Sequence, residues 1–205
     1  MSGIPGAPDE LQPKSFVFTP ENLEEAGRII AKYPPGRQAS AVMPLLDLAQ
    51  RQHGWLPRAA IEYIADMLAM PSIRVWEVVT FYTMYMVDPV GKYRIQVCTT
   101  TPCWLAGSDE VTAACRHRLG VDFGETTADG KFTLLEVECL GACVNAPVVQ
   151  VNDDYYEDLD GPRTEALLNA LARGEVPAPG SQIGRSGSAP VTGPATLRNL
   201  PAEGD

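Results

Sequence analysis

The chain has 205 residues, with 16 Lys and Arg against 26 Asp and Glu, a formal net charge of -10 and 45% hydrophobic residues. That length holds one medium domain or two small ones, and the acidity argues against a phosphate backbone, so no nucleic-acid partner is expected. No run of about 18 apolar residues is present, so no direct membrane insertion is expected. Five Cys are too few, and odd in number, for a disulfide-built scaffold.

Residues 1–15 hold three Pro and little apolar content, and are expected to be a flexible N-terminus. They lack the marks of a secretory signal or a transit peptide, which points to a cytoplasmic protein. Residues 16–90 read as a small helical bundle. Thr19 caps a first helix starting at Pro20, with Leu23, Ala26, Ile29 and Ile30 at helical spacing, ended by Pro34, Pro35 and Gly36. A second helix, from about Gln38 to Gln52, carries Val42, Leu45, Leu46 and Ala49, and Gly54 closes it. A third, from about Arg58 to Leu68, turns Ile61, Ile64 and Leu68 inward. After Pro71, Ser72 caps a fourth carrying Ile73, Val75, Trp76, Val79 and Phe81. The aromatic run Trp76, Phe81, Tyr82 and Tyr85 is assigned mainly to the bundle core, with a docking face as the alternative.

The pattern changes at Gly91. Tyr93, Ile95 and Val97 alternate along a strand, and one helix is expected from about Trp104 to Leu119, closed by Gly120. Strands follow at Phe132 to Glu138, Val148 to Val151 and Tyr155 to Glu157, then a helix from about Pro162 to Ala172. A strand–helix–strand unit places its two strands parallel. With the closing hairpin and helix, residues 91–174 are compatible with a thioredoxin-like fold, and the chain as a whole is α/β. Residues 175–205 form a Pro/Gly-rich tail that buries too little apolar surface to order by itself. A strap ordered against a partner, anchored by Ile183, Val191, Leu197 and Leu200, is the functional alternative to a disordered tail.

Four cysteines form two pairs, Cys98-Thr-Thr-Thr-Pro-Cys103 and Cys139-Leu-Gly-Ala-Cys143. Cys98 and Cys139 each end a strand, and parallel strands would bring both pairs to one sheet edge. Four thiolates suit tetrahedral zinc or an iron–sulfur cluster. The loops favour the cluster. Gly141 and Ala142 allow close backbone approach, Thr99, Thr100 and Thr101 add donors, and Trp104 and Leu140 would exclude water. Neither pair has the C-x2-C knuckle common in zinc sites, or the C-x-x-C of a dithiol oxidoreductase. A zinc-stapled interaction module and a redox disulfide remain as alternatives. Cys115, among Ala113, Ala114 and Leu119, reads as a small core hydrophobe.

These two loops, the segment Glu77-Val78-Val79-Thr80-Phe81-Tyr82-Thr83-Met84-Tyr85, and the upstream stretches Ser40 to Leu46 and Gln52 to Leu56 resemble the thioredoxin-like [2Fe–2S] subunits of NADH:quinone oxidoreductase (respiratory complex I). The resemblance covers about residues 16 to 175. It implies an electron-transfer subunit holding one [2Fe–2S] cluster on Cys98, Cys103, Cys139 and Cys143. The spacing suggests Cys98 and Cys103 on one iron and Cys139 and Cys143 on the other. It further implies a flavoprotein partner that holds FMN and NADH, contact with other peripheral-arm subunits, and a place on the cytoplasmic side of the bacterial plasma membrane. Similar subunits occur in NAD-linked hydrogenases and formate dehydrogenases.

This chain itself has no G-x-G-x-x-G after a strand, no Walker A and no G-x-S-x-G. No catalytic residue is therefore assigned, and FMN and NADH are expected to bind elsewhere. His53 and His117 read as surface residues. The acidic stretch Asp153 to Asp160 lacks the EF-hand pattern and reads as a solvated turn. Glu136 and Glu138, if they face the cluster, would lower its potential.

Overall fold

The computed structural model describes residues 6–193. It separates into two compact units, with the division between Val90 and Gly91.

The first unit holds four helices: α1 (Pro20–Ala31), α2 (Val42–His53), α3 (Arg58–Met67) and α4 (Ser72–Phe81). Local chemistry sets their starts. The Thr19 hydroxyl accepts from the Asn22 N–H at 3.3 Å, and Pro20 occupies the first turn, where its missing N–H costs nothing. Gly54, at φ +95°, closes α2 in a backbone conformation that side chains resist. Leu45, Leu46, Ala49, Ile61, Ile64 and Val75 are buried in one core with Phe16 and Phe18. Each large aliphatic side chain there contributes about 1.5–3 kcal/mol relative to exposure.

Two glutamines fasten the loops to this core. Buried Gln50 donates to the Met84 carbonyl at 3.0 Å and accepts from the Met86 N–H at 2.7 Å. Gln52 accepts from the Thr19 N–H and from Asn22 Nδ2, and donates to the Val17 carbonyl.

Several expectations fail here. Ile73 and Phe81 are exposed, Phe81 at 77%, and Tyr82 and Met84 are exposed as well. Only Val75 and Val79 of α4 are buried, and at 100° per residue Ile73 and Phe81 lie on its opposite side. Tyr85 is the buried member of the aromatic run. Ser72 does not cap α4; it is the first helical residue, behind Pro71. Leu23 faces solvent. The segment expected to be a flexible N-terminus is tied down from Gly6 onward. Ala7 is fully buried and donates to the Val87 carbonyl, Gln12 accepts from the Arg58 N–H, and Asp9 pairs with Arg58.

The second unit contains β1 (Tyr93–Cys98), α5 (Thr101–Leu105), α6 (Ser108–Leu119), β2 (Phe132–Val137), β3 (Val149–Val151), β4 (Asp154–Glu157), α7 (Gly161–Ala172) and β5 (Gly180–Ser181). The sheet order is β2-β1-β3-β4-β5. β1 runs parallel to β2, with Cys98 opposite Val137, and antiparallel to β3. Ile95, Val97, Leu134, Val149, Val151 and Tyr156 form a core with Val111 and Cys115 of α6 and Leu167, Leu168 and Leu171 of α7.

The single helix expected from Trp104 to Leu119 is two helices, because Gly107 at φ +107° breaks the chain between them. The acidic stretch is not simply a solvated turn. Tyr156 is core, Asp158 is buried, and Asp160 caps α7 by accepting from the Arg163 N–H at 2.8 Å. The tail is partly structured. β5 adds to β4 as a parallel edge strand, and Tyr156 donates its hydroxyl proton to the Pro177 carbonyl at 3.0 Å. The expected anchors Ile183 and Val191 are exposed. Leu197 and Leu200 lie outside the described residues.

Candidate metal centre

Cys98 is the last residue of β1, and Cys139 follows the end of β2 by two residues. Because the two strands are parallel and in register, both loops leave the same edge of the sheet. Cys103 lies inside α5, the short helix that follows Cys98. Cys143 opens a 3-10 turn, Cys143–Asn145, that follows Gly141 at φ +82°.

The loops are linked through donors to sulfur. Thr100 Oγ1 lies 3.2 Å from Cys98 Sγ, and the Gly141 N–H points at Cys139 Sγ from 3.4 Å. Cys139 and Cys143 bring their sulfurs to 3.4 Å. Burial pushes the Cys98 thiol up. Hydrogen bonds from the Thr100 hydroxyl, the N–H groups of Leu140 and Thr100, and Cys103 outweigh it and hold Cys98 below its ordinary value. Leu140 belongs to the second loop, so the second loop solvates a sulfur of the first. Cys139 is also held low, chiefly by the Gly141 N–H and then by Cys143, with a smaller contribution from the Thr100 hydroxyl. Their partners move the other way. Burial, then the bond to Cys98, pushes Cys103 up to about 12, and the bond to Cys139, then burial, raises Cys143.

The environment is asymmetric. Cys98 and Cys103 are buried with Val148, with Leu140, Ala142, Ala146 and Tyr155 packed against them. Cys139 and Cys143 are exposed. Trp104 and Leu105, directly after Cys103, and Val144, directly after Cys143, leave large apolar surfaces uncovered, so Trp104 does not exclude water as expected. Among the described residues, no group of three or more His, Cys, Asp or Glu is drawn close enough to hold a metal ion. The donors come instead as two thiol pairs supplied with N–H and hydroxyl donors and lacking any cation within either loop. That set fits a two-iron cluster, with two thiolates per iron, better than one tetrahedral zinc.

A family model described as thioredoxin-like [2Fe-2S] ferredoxin matches residues 26–172. The chain belongs to this family. This thioredoxin-like [2Fe–2S] chain is 62% identical over 158 residues to the E-type subunit of the NADH-quinone oxidoreductase of Rickettsia conorii (strain ATCC VR-613 / Malish 7), covering 77% of this chain and 95% of that one. It is 60% identical to the corresponding subunit of Rickettsia bellii (strain RML369-C), with the same coverage. Among solved structures, the NAD+-reducing [NiFe]-hydrogenase in its H2-reduced state superposes with a TM-score of 0.57 at 20% identity, over 65% of this chain and 23% of that one. That likeness is one of fold. With the family match, the chain is an α/β protein whose second unit has the thioredoxin-like ferredoxin fold.

The other singled-out residues lie apart from this centre. Cys115 is fully buried in the α6 face of the core, and burial pushes its thiol up to about 12. His53 and His117 are exposed. Glu136 reaches the first loop by accepting from the Thr99 hydroxyl at 2.7 Å, and Glu138 is exposed. Residues that sequence reasoning missed support the second loop. The Tyr155 hydroxyl donates to the Leu140 carbonyl at 2.9 Å, and Asn145, Asp158 and Arg185 form a buried polar cluster behind Cys143. The available signal is faint: Arg185 is the one charged residue in the sequence from Pro177 to Gly193.

Proposed function

We propose that the chain is the electron-transfer subunit of an NADH-quinone oxidoreductase, holding one [2Fe–2S] cluster on Cys98, Cys103, Cys139 and Cys143. The observation that carries this reading is the meeting of the two cysteine loops at one sheet edge, in a chain 62% identical to a subunit of that oxidoreductase along nearly all of the relative's length. When bound, the cluster supplies one-electron transfer without a change of ligands. The residues of the chain prepare the site for it. Thr100, Leu140 and Gly141 direct donors at Cys98 and Cys139, which favours their thiolate forms. Buried Cys98 and Cys103 hold one side away from water. Exposed Cys139 and Cys143 leave the other side open, where a redox partner would approach.

The apolar rim of Trp104, Leu105 and Val144 supports a protein partner at that opening. In this reading the partner is the flavoprotein subunit that carries FMN and NADH, and other peripheral-arm subunits complete the assembly. Residues 16–90 form the helical domain, residues 91–174 the cluster domain, and the enzyme activity belongs to the complex. No helix among the described residues is long and apolar enough to cross a membrane. In this reading the complex holds the chain peripherally, on the cytoplasmic side of the plasma membrane.

Anaerobic purification tests the reading. The expected protein is red-brown, with two irons and two sulfides per chain for a [2Fe–2S] centre and a paramagnetic signal on reduction. A colourless chain with one zinc would sink it.

A further inference from the structure

The tail beyond the family match folds back on the second cysteine loop. Arg185 lies outside residues 26–172, yet its side chain is only 12% exposed. It pairs with Asp158, itself 6% exposed, at 3.0 Å. The same guanidinium donates from Nη1 to the Val144 carbonyl at 3.0 Å and to Asn145 Oδ1 at 2.9 Å. Asn145 is gripped from its other side: Nδ2 donates to Glu157 Oε2 at 2.5 Å and to the Gly187 carbonyl at 2.9 Å. Its own carbonyl accepts from the Asp158 N–H at 2.7 Å. Ser181 donates to the remaining oxygen of Asp158 at 2.6 Å and accepts from the Arg185 N–H at 3.1 Å.

Val144 and Asn145 directly follow Cys143. We propose that residues 177–187 are a strap that locks the second cysteine loop, with Arg185 as its positioning residue. The inference rests on the reading of Cys139 and Cys143 as cluster ligands. In the first loop both cysteines are buried. In the second loop Leu140 and Ala142 pack against those cysteines, but Cys139 and Cys143 are exposed, and the residues that follow Cys143 are held by polar ties. Arg suits this place because a planar fork serves three acceptors in fixed directions, which a Lys ammonium on a flexible stem does not. The strap is held by this polar cluster and the β5 pairing, while its apolar residue Ile183 and the neighbouring Val191 stay outside.

The test uses the full chain loaded with its cluster under anaerobic conditions, with loss of iron to excess 2,2′-bipyridine as the readout. Arg185→Gln should release iron faster by roughly tenfold, the low end for outer partners of metal ligands. It should also broaden the paramagnetic spectrum of the reduced cluster, a signature of loosened ligands that a distant stability loss does not produce. Arg185→Gln leaves a buried carboxylate unpaired and risks misfolding, so the double variant Asp158→Asn with Arg185→Met accompanies it. The double variant removes the fork without stranding a charge, and it should show the same fast release and the same broadening. Release and spectra like those of the unaltered chain in the double variant would overturn the strap. An unaltered chain that never holds iron would overturn the cluster reading instead.

Discussion

The Thr99 hydroxyl donates to Glu136 across 2.7 Å, joining the first cysteine loop to the strand that delivers the second. A carboxylate is thereby fixed beside the centre, and Glu138 adds another exposed charge closer still to Cys139 in sequence. Negative charge disfavours the more negative reduced cluster. Gln at both positions keeps the shape, and at 136 it can still accept from Thr99. The pair Glu136→Gln and Glu138→Gln should raise the midpoint potential by on the order of tens of millivolts, since both groups are exposed and screened. Redox titration followed by paramagnetic resonance reads this directly; an unchanged or lower potential would count against the idea.

Cys139→Ser and Cys115→Ser should part company. An alkoxide is a harder and poorer iron ligand than a thiolate, so Cys139→Ser should lose most of its iron. Cys115→Ser buries a hydroxyl where a thiol sat, at a cost of about 1–3 kcal/mol in stability, and should keep its iron. Iron analysis and thermal melts of the two variants distinguish these outcomes, and equal iron loss would refute the ligand assignment.

Alkali should weaken the first unit through Tyr85. Its hydroxyl donates to the Met43 carbonyl at 3.0 Å. Burial, then the Asp47 charge and Tyr82, pushes its pKa up to about 12. An unfolded Tyr ionises near about 10, so the fold favours the neutral form. That stabilisation is complete below about pH 10 and is lost as pH rises from there toward about 12. Tyr85→Phe should cost about 1 kcal/mol at neutral pH through the lost hydrogen bond and should flatten the alkaline decline. Urea melts from pH 8 upward would show it, and parallel declines in both proteins would exclude Tyr85 as the cause.

Two glycines should respond in opposite directions. A Cβ on Gly91 would meet the Phe132 backbone at 2.7 Å, so Gly91→Ala should destabilise by about 1–3 kcal/mol. Gly27 sits inside α1 with nothing within 4 Å of a Cβ, so Gly27→Ala should stabilise by about 0.5–1 kcal/mol. Denaturation midpoints of the two variants decide both signs.

The cluster loops and most elements are legible in the sequence because their signals are local. Thr19-Pro20, the alternation of Tyr93, Ile95 and Val97, and the two cysteine pairs each carry their meaning within a few residues. The exposure of Phe81 is not legible, because aromatic composition says nothing about which side of α4 meets the core. The break at Gly107 is hidden because a helical glycine and a left-handed one look alike in sequence. The role of Arg185 is hidden because its partners, Asp158 and Asn145, are distant in sequence, and only the returning chain brings them together.

The parallel ladder of β1 and β2 has a consequence for how such chains vary. Six consecutive residue pairs, from Tyr93 opposite Phe132 to Cys98 opposite Val137, set where both cysteine loops emerge. The stretch between Gly120 and Lys131 folds back on β2, where the Gly124 N–H bonds to the Leu134 carbonyl and Val121 and Phe123 pack against the core, but its turns lie at the surface. Extra residues in its surface turns would lengthen the path between Cys103 and Cys139 without displacing either. The distance between the two motifs along the chain is thus free to drift, while the distance between them in space is held by backbone pairing.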